Sequence, residues 1–143
     1  MEKIQVFLDT DVIISALLSK TGASYELIKS PKVAKTTSKT VQKETNEVAK
    51  RLNLGKQETK RIFKNIRVTP PSLTKKEILE KYGKFVFDEK DSHVVAGANR
   101  AKSKFLLTHN FKHYQVNKIK AELGIIVLKP GNFLQYLRSL DRF

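Results

Sequence analysis

The stretch from Lys3 to Leu18 constrains the fold of this chain more than any other. Ile4 to Leu8 is a short, mostly apolar run rich in β-branched and aromatic residues, which suits a strand buried on both faces of a sheet. The run stops at Asp9. Thr10 and Asp11 follow, the latter a residue type favoured as a helix N-cap, and then Val12 to Leu18, whose only polar member is Ser15. A buried strand therefore feeds a buried helix, with a carboxylate at the turn. In open parallel α/β sheets ligands bind at the carboxyl ends of the strands, so Asp9 stands in a functional position.

The same alternation continues to the C-terminus. Ser24 is expected to cap a short helix through Lys29, and Lys32 to Thr37 reads as a second strand. Ser38 is a plausible N-cap for a helix from Lys39 to Leu52, closed by Asn53-Leu54-Gly55, with another helix from Lys56 to Asn65. Ile66 to Thr69 is a short extended segment halted by Pro70-Pro71, and Thr74 with Glu77 fits a capping box for a helix to Tyr82. Helices over Asp91 to Ala101, Val116 to Leu123 and Asn132 to Leu140 bracket strands over Lys104 to Thr108 and Ile125 to Leu128. Short turns between alternating strands and helices predict an α/β fold with a parallel sheet of four or five strands covered by helices on both sides. With no repeat and no long linker, residues 1–143 read as one domain.

Composition narrows the function. The chain has no cysteine, which excludes disulfides and thiolate metal sites. It has no apolar run of membrane-spanning length, and Met1-Glu2-Lys3 leads into a strand rather than a signal-peptide core, so a cytoplasmic location is expected. Lys plus Arg number 28 against 14 Asp plus Glu, a formal net charge of +14 that favours a polyanionic partner, nucleic acid or an acidic protein. Acids are scarce, so their placement is informative.

Two acids stand out on helical wheels. In the helix from Lys39 the core stripe is Val41, Thr45, Val48 and Leu52; Glu44 lies about 60° from its centre, whereas Glu47, about 120° away, looks outward. In the helix from Asp91 the stripe is Val94, Val95, Ala98 and Ala101, and Asp91 falls inside it. A carboxylate on a core face is costly unless paired. Locally, Asp91 also reads as a helix-start acid, Asp9 as a turn acid and Asp11 mainly as a cap. Three acids from separate elements near one crevice repel each other, and oxygen-only ligation suits Mg²⁺ or Mn²⁺. Thr108 and Asn110, at the end of the fourth apolar strand, are expected to face the same crevice. Thr108 and Ser15 are candidates for orienting a water or a carboxylate. His93 faces away from Asp91 on its helix and is expected at the surface, while His109 and His113 lie near the crevice.

Asp9 in Leu-Asp-Thr-Asp-Val, Glu44 on a helix, Asp91 opening a helix, and Leu-Leu-Thr-His-Asn after the next strand together resemble the PIN domain family of metal-dependent nucleases. The resemblance runs along nearly the whole chain and implies a PIN-like fold. It matches Asp9, Glu44 and Asp91 to the family's metal-binding acids and Thr108 to the threonine of its late Thr-x-Asp motif. Asn110 stands where that motif has its aspartate, keeping one oxygen ligand but no charge. By resemblance to the family's VapC-like toxins, the implied function is a Mg²⁺- or Mn²⁺-dependent endoribonuclease with catalytic residues Asp9, Glu44, Asp91 and Asn110. The implied partners are an RNA substrate, an antitoxin protein and a second copy of the chain. A second reading is a PIN-fold protein, weakened catalytically by Asn110, that binds RNA or a partner chain. Lys56, Lys60, Lys64 and Arg67 fall on one helical face at steps of four, four and three and are the candidate nucleic-acid contacts.

Overall fold

In a computed structural model, which describes residues 2–140, five strands form one parallel sheet. They are β1 (Ile4–Leu8), β2 (Val33–Ser38), β3 (Arg67–Thr69), β4 (Phe105–Leu107) and β5 (Ile126–Leu128), in the order β3-β2-β1-β4-β5. The expected segments are all present: the strand Ile4–Leu8 and the helix Val116–Leu123 have the expected bounds, and most of the others differ by a residue or two at an end. The helices are α1 (Thr10–Leu18), α2 (Ala23–Lys29), α3 (Lys39–Arg51), α4 (Lys56–Phe63), α5 (Lys75–Tyr82), α6 (Ser92–Arg100), α7 (Val116–Leu123) and α8 (Pro130–Leu140). None is long and apolar enough to cross a membrane.

The strand order follows from two directions of travel. From β1 the chain steps outward through α1 and α2 to β2, then through α3 and α4 to β3; α5 and α6 then carry it back to β4, on the other side of β1. Because parallel crossovers are right-handed, reversing direction places α1 to α4 on one face of the sheet and α5 to α7 on the other. The reversal leaves a crevice at the carboxyl ends of β1 and β4, the place where open α/β sheets bind ligands. Leu8 pairs with Leu107 at the end of the β1–β4 ladder, and the Asp9 N–H donates to the Leu107 carbonyl at 3.1 Å. Asp9 and Thr108 thus leave the sheet side by side.

Local signals are realised where they are self-contained. Ser38 accepts from the Val41 N–H, Thr74 and Glu77 form the reciprocal capping box, and Gly124 ends α7 at φ +70°. Ser24 is not a cap: α2 starts one residue earlier after Gly22, and the Ser24 side chain is buried inside the helix. Phe7, Leu8, Ile13, Leu27, Leu106, Leu107 and Phe133 are fully buried and form the core with their neighbours.

Helix α6 lies very close to β1. A Cβ on Gly97 would stand 2.6 Å from Phe7 Cζ and 2.8 Å from Cε2. Phe7 is itself fully buried and has no room to withdraw. Gly97→Ala is therefore expected to destabilise the protein by about 1–3 kcal/mol through overpacking, despite the higher helix propensity of alanine. Urea unfolding measures it, and an unchanged midpoint would mean that α6 shifts freely over β1.

Candidate active site

Asp9 is the centre of the crevice. Its residue is 9% exposed, and its carboxylate accepts three hydrogen bonds: from the Thr10 N–H at 2.7 Å on Oδ1, and from the Thr108 hydroxyl at 2.9 Å and the Tyr114 hydroxyl at 2.8 Å on Oδ2. Burial, with the nearby charge of Asp11, raises its pKa to about 6, against the opposing pull of these donors. The bond to Thr10 is the turn-acid role legible in the sequence. The other two arrive from the far end of the chain.

Asp11 is not the cap of α1; Asp9 holds that position. Instead Asp11 reaches across to the loop after β4, accepting from the backbone N–H groups of His109 at 3.1 Å and Asn110 at 3.1 Å. Its Oδ2 is also 3.2 Å from the Thr108 hydroxyl, whose single proton lies between the two aspartates. Asp11 thereby fastens the β4 loop to α1. Asn110 takes part through its backbone, donating also to Thr108 Oγ1 at 3.0 Å; its side chain is exposed and makes no hydrogen bond among the described residues. Ser15 lies one turn beyond Asp11 on α1 and likewise makes no side-chain hydrogen bond among them.

Tyr114 was not singled out by the sequence. Its side chain is almost wholly buried, and a backbone pairing of Val86 with Tyr114, flanked by Phe87 N–H to His113 O at 3.0 Å, fixes it against the segment that leads to Asp91. Burial and the neighbouring Asp9 hold its phenol far above the usual tyrosine range, so it remains a donor at any working pH. Tyr114→Phe is expected to push the Asp9 pKa above about 6. At pH 7.5 it should cost about 1.5–3 kcal/mol of metal-free stability, the usual worth of a hydrogen bond to a charged group. Carboxyl-detected NMR titration and urea unfolding read the two effects; an unmoved Asp9 titration would remove Tyr114 from the site.

Asp91 ends a 3-10 turn, Glu89–Asp91, and sits at the N-cap position of α6 without making a capping bond. Its carboxylate is therefore free of the helix-start duty read locally. Burial raises its pKa; His113 opposes the shift, Asp88 adds to it, His93 opposes and Glu44 adds. Glu44, on α3, is thus within electrostatic reach of Asp91. His93 is a correction to the surface position expected from its helical wheel. Its side chain is only 18% exposed, and Nε2 lies 2.6 Å from Glu44 Oε1. That contact lacks hydrogen-bond geometry, which leaves Glu44 Oε1 buried without a hydrogen-bond partner; the other ring nitrogen, His93 Nδ1, is also buried without one among the described residues. His113 Nδ1 is 3.5 Å from Asp91 Oδ2, and His109 Nδ1 is 3.7 Å from Asp11 Oδ1. All three histidines of the chain face acids of this crevice, a pattern that wheels on single helices could not reveal because each partner lies on another element.

In kind, the donor set fits a hard divalent cation: the acids are mutually repelling carboxylates, and Glu44 offers a buried oxygen that accepts no hydrogen bond, with only the His93 ring nitrogen beside it. As placed, they do not close around one point, and among the described residues no three Asp, Glu or His side chains form a group that could hold a metal. Within Asp9, Oδ2 takes both the Thr108 and Tyr114 hydroxyls, whereas Oδ1 takes only the Thr10 N–H and keeps an acceptor site.

The basic stripe is realised in part. Lys56, Lys60 and Lys64 line a groove of about 870 Å³ between α3 and α4, together with Lys50. Arg67 is not on that helix, which ends at Phe63; it opens β3 and lines, with Lys3, Lys35 and Lys64, a hollow at the amino ends of the strands. Gln42 and Asn46, which face the groove, are each roughly 160° from Glu44 around α3. The lysines are therefore held on the side of α3 away from the acids.

A family model described as PIN domain matches residues 5–112. No curated protein matches the sequence significantly. Among solved structures the chain is similar to a toxin–antitoxin complex from Klebsiella pneumoniae, with a TM-score of 0.65 at 17% identity over 87% of this chain and 97% of that one. It is similar also to PAE2754 from Pyrobaculum aerophilum, with a TM-score of 0.62 at 15% identity over 95% of this chain and 96% of that one. A third is VapC20 from Mycobacterium tuberculosis, described as a sarcin-ricin loop cleaving toxin, with a TM-score of 0.52 at 16% identity over 71% of this chain and 86% of that one. At such identities the likeness is one of fold.

Proposed function

The chain belongs to the PIN domain family, and from that premise we propose that residues 1–143 act as one metal-dependent endoribonuclease unit, the toxin of a toxin–antitoxin pair. The observation that carries the reading is the buried Asp9 carboxylate, oriented by Thr108 and Tyr114 at the crevice between β1 and β4, with Glu44 and Asp91 converging on the same end of the sheet. Asp9, Glu44 and Asp91 would hold Mg²⁺ or Mn²⁺, with water completing the shell. Such an ion, when bound, lowers the pKa of a coordinated water and neutralises charge developing on a phosphodiester.

The chain's own residues prepare that chemistry. Thr108 and Tyr114 fix Asp9 Oδ2 and the Thr10 N–H fixes Oδ1, and Asp11 holds the His109–Asn110 backbone beside them. Glu44 and Asp91 each face a histidine from another element, so both are positioned before any ligand arrives. The groove lysines Lys56, Lys60 and Lys64, and Arg67 below them, supply charge for RNA phosphates distant from the cut.

Similarity to toxin–antitoxin structures supports an antitoxin partner. Leu18, 61% exposed at the end of α1, offers apolar surface on the early helices for a second copy of the chain. We place the activity in the cytoplasm, with RNA as substrate. The competing reading, a PIN-fold protein that binds without cutting, draws on the absence of a closed three-ligand group among the described residues. Cleavage of single-stranded RNA with Mg²⁺ or Mn²⁺, abolished by EDTA and restored by added metal, tests the choice. Binding of RNA without metal-dependent cleavage would favour the second reading.

A further inference from the structure

Beside the carboxylates lies a cavity of about 270 Å³ that the acids themselves do not line. It is enclosed by α5, α6 and the carboxyl ends of β2 and β3, where the chain turns through Pro70 and Pro71. Two features place it next to the site. His93, whose Nε2 is 2.6 Å from Glu44, forms part of its wall, and Thr40, also in the wall, precedes Glu44 by one turn of α3. We infer that this cavity receives one unpaired nucleobase of the RNA beside the scissile phosphate and gives the enzyme a base preference. The inference rests on the nuclease reading for its substrate class and adds to it a second point of recognition.

Size, walls, edge and charge agree on that occupant. The volume falls just below the range of about 300–1,000 Å³ typical of pockets for drug-sized ligands, so a single planar ring system fits better than a peptide. Proline rings, Leu73, Ile78 and Ala96 supply apolar surface for its faces. Tyr82 and Asn99 supply a polar edge: the Asn99 amide donates one N–H to the Tyr82 hydroxyl at 2.7 Å, leaving its carbonyl oxygen, its second N–H and the phenol proton without partners among the described residues. An unspent acceptor and two unspent donors match the Watson–Crick edge of a base, the edge on which single-stranded RNA is read. No Asp or Glu lines the cavity, whereas Lys81 and Arg100 do, both exposed, with the Lys81 ammonium 5.6 Å from the centre of the Tyr82 ring. The charge that a base carries with it, its phosphate, is thereby matched.

The test has a binding arm and a cleavage arm. In the first, each of the four nucleoside 5′-monophosphates is titrated into the metal-free protein while the Asn99 side-chain amide is followed by NMR. One or two of them are expected to shift that resonance, and Ser72→Trp, which places an indole at the exposed rim, should weaken the response at least tenfold. In the second, RNA oligomers differing in the base at each position are cleaved by the wild type, Asn99→Ala and Ser72→Trp. Both variants should lower kcat/KM on the preferred sequence about tenfold and flatten the preference, with non-preferred sequences unaffected. Shifts from N-acetyl-leucine amide and from no nucleotide would make the cavity a seat for a protein side chain and overturn the inference. So would a base preference that survives both variants, which would leave the nuclease reading standing. Nucleotide binding at Asn99 without any RNA cleavage would support the cavity and reject the nuclease.

Discussion

Asp9→Asn is expected to abolish metal-dependent RNA cleavage while making the metal-free protein more stable at neutral pH, by up to about 3 kcal/mol. Burial and Asp11 lift the Asp9 pKa from 3.8 to about 6, and one pKa unit corresponds to about 1.36 kcal/mol. Between those two values the folded chain binds more protons than the unfolded chain. The contribution of Asp9 to stability therefore falls as pH rises from about 4 to about 6 and stays at its unfavourable limit above that. An asparagine cannot ionise, so the variant should lack this slope and gain most at pH 7. The gain is reduced because asparagine keeps one acceptor oxygen: with that oxygen toward the Thr108 and Tyr114 hydroxyls the bonds are weaker, and the Thr10 N–H, facing the NH2, loses its acceptor. Urea unfolding from pH 4 to 8 measures the difference. A variant less stable than wild type at pH 7, with the same pH slope, would show that Asp9 is a structural turn acid.

Asn110→Asp is expected to tighten Mn²⁺ binding about tenfold and to raise RNA cleavage at limiting metal. Hard cations are held mainly by anionic oxygens, and Asn110 contributes a neutral amide at the mouth of the crevice. Its backbone is already fixed by bonds to Asp11 and Thr108, so a carboxylate there would project from a held position rather than from a loose loop. At saturating metal the gain should shrink, because occupancy no longer limits the rate. In metal-free buffer the variant should be less stable, since it adds a like charge beside Asp11 and Asp9. Calorimetric titration of both proteins decides it: equal affinities would put position 110 outside the metal shell.

What could be read from the sequence, and what could not, divides along the range of the interactions. Ser38, the Thr74–Glu77 pair and Gly124 act within a few residues of themselves, and each does what local chemistry dictates. β1, β4 and β5 were legible for the same reason, as short apolar runs between turns, and β2 and β3 from the turn residues and prolines that bound them. Asp11 was misread because an N-cap is defined by whose N–H it accepts; its donors, His109 and Asn110, lie nearly a hundred residues away. His93 was misread because a helical wheel relates it only to its own helix, whereas its partner Glu44 sits on α3. Tyr114 carried no recognisable signal at all: a tyrosine in a loop becomes a donor to Asp9 only once the β1–β4 pairing brings that carboxylate to it. Arg67 left the basic stripe because α4 stopped short of it and a strand began.

The same division explains why the acids were legible as a set but not as a geometry. Periodicity put Asp9 at a strand end, Glu44 about 60° from the centre of a core stripe and Asp91 in line with another, although Asp91 in fact ends the 3-10 turn before α6. Their convergence depends on the reversal of the chain between β3 and β4, which puts α6 across the sheet from α3. The orientation of each carboxylate then depends on donors and histidines from further elements.

Calorimetric titration of Mn²⁺ into the protein at pH 7.5, beside the Asp9→Asn and Asp91→Asn variants, tests most directly the claim that these acids form a metal centre. The account predicts saturable binding to the wild type, lost or weakened at least tenfold in both variants, with proton release that grows as the pH is lowered toward 6 and Asp9 begins to hold its proton. Absence of binding, or equal binding by all three proteins, would contradict it.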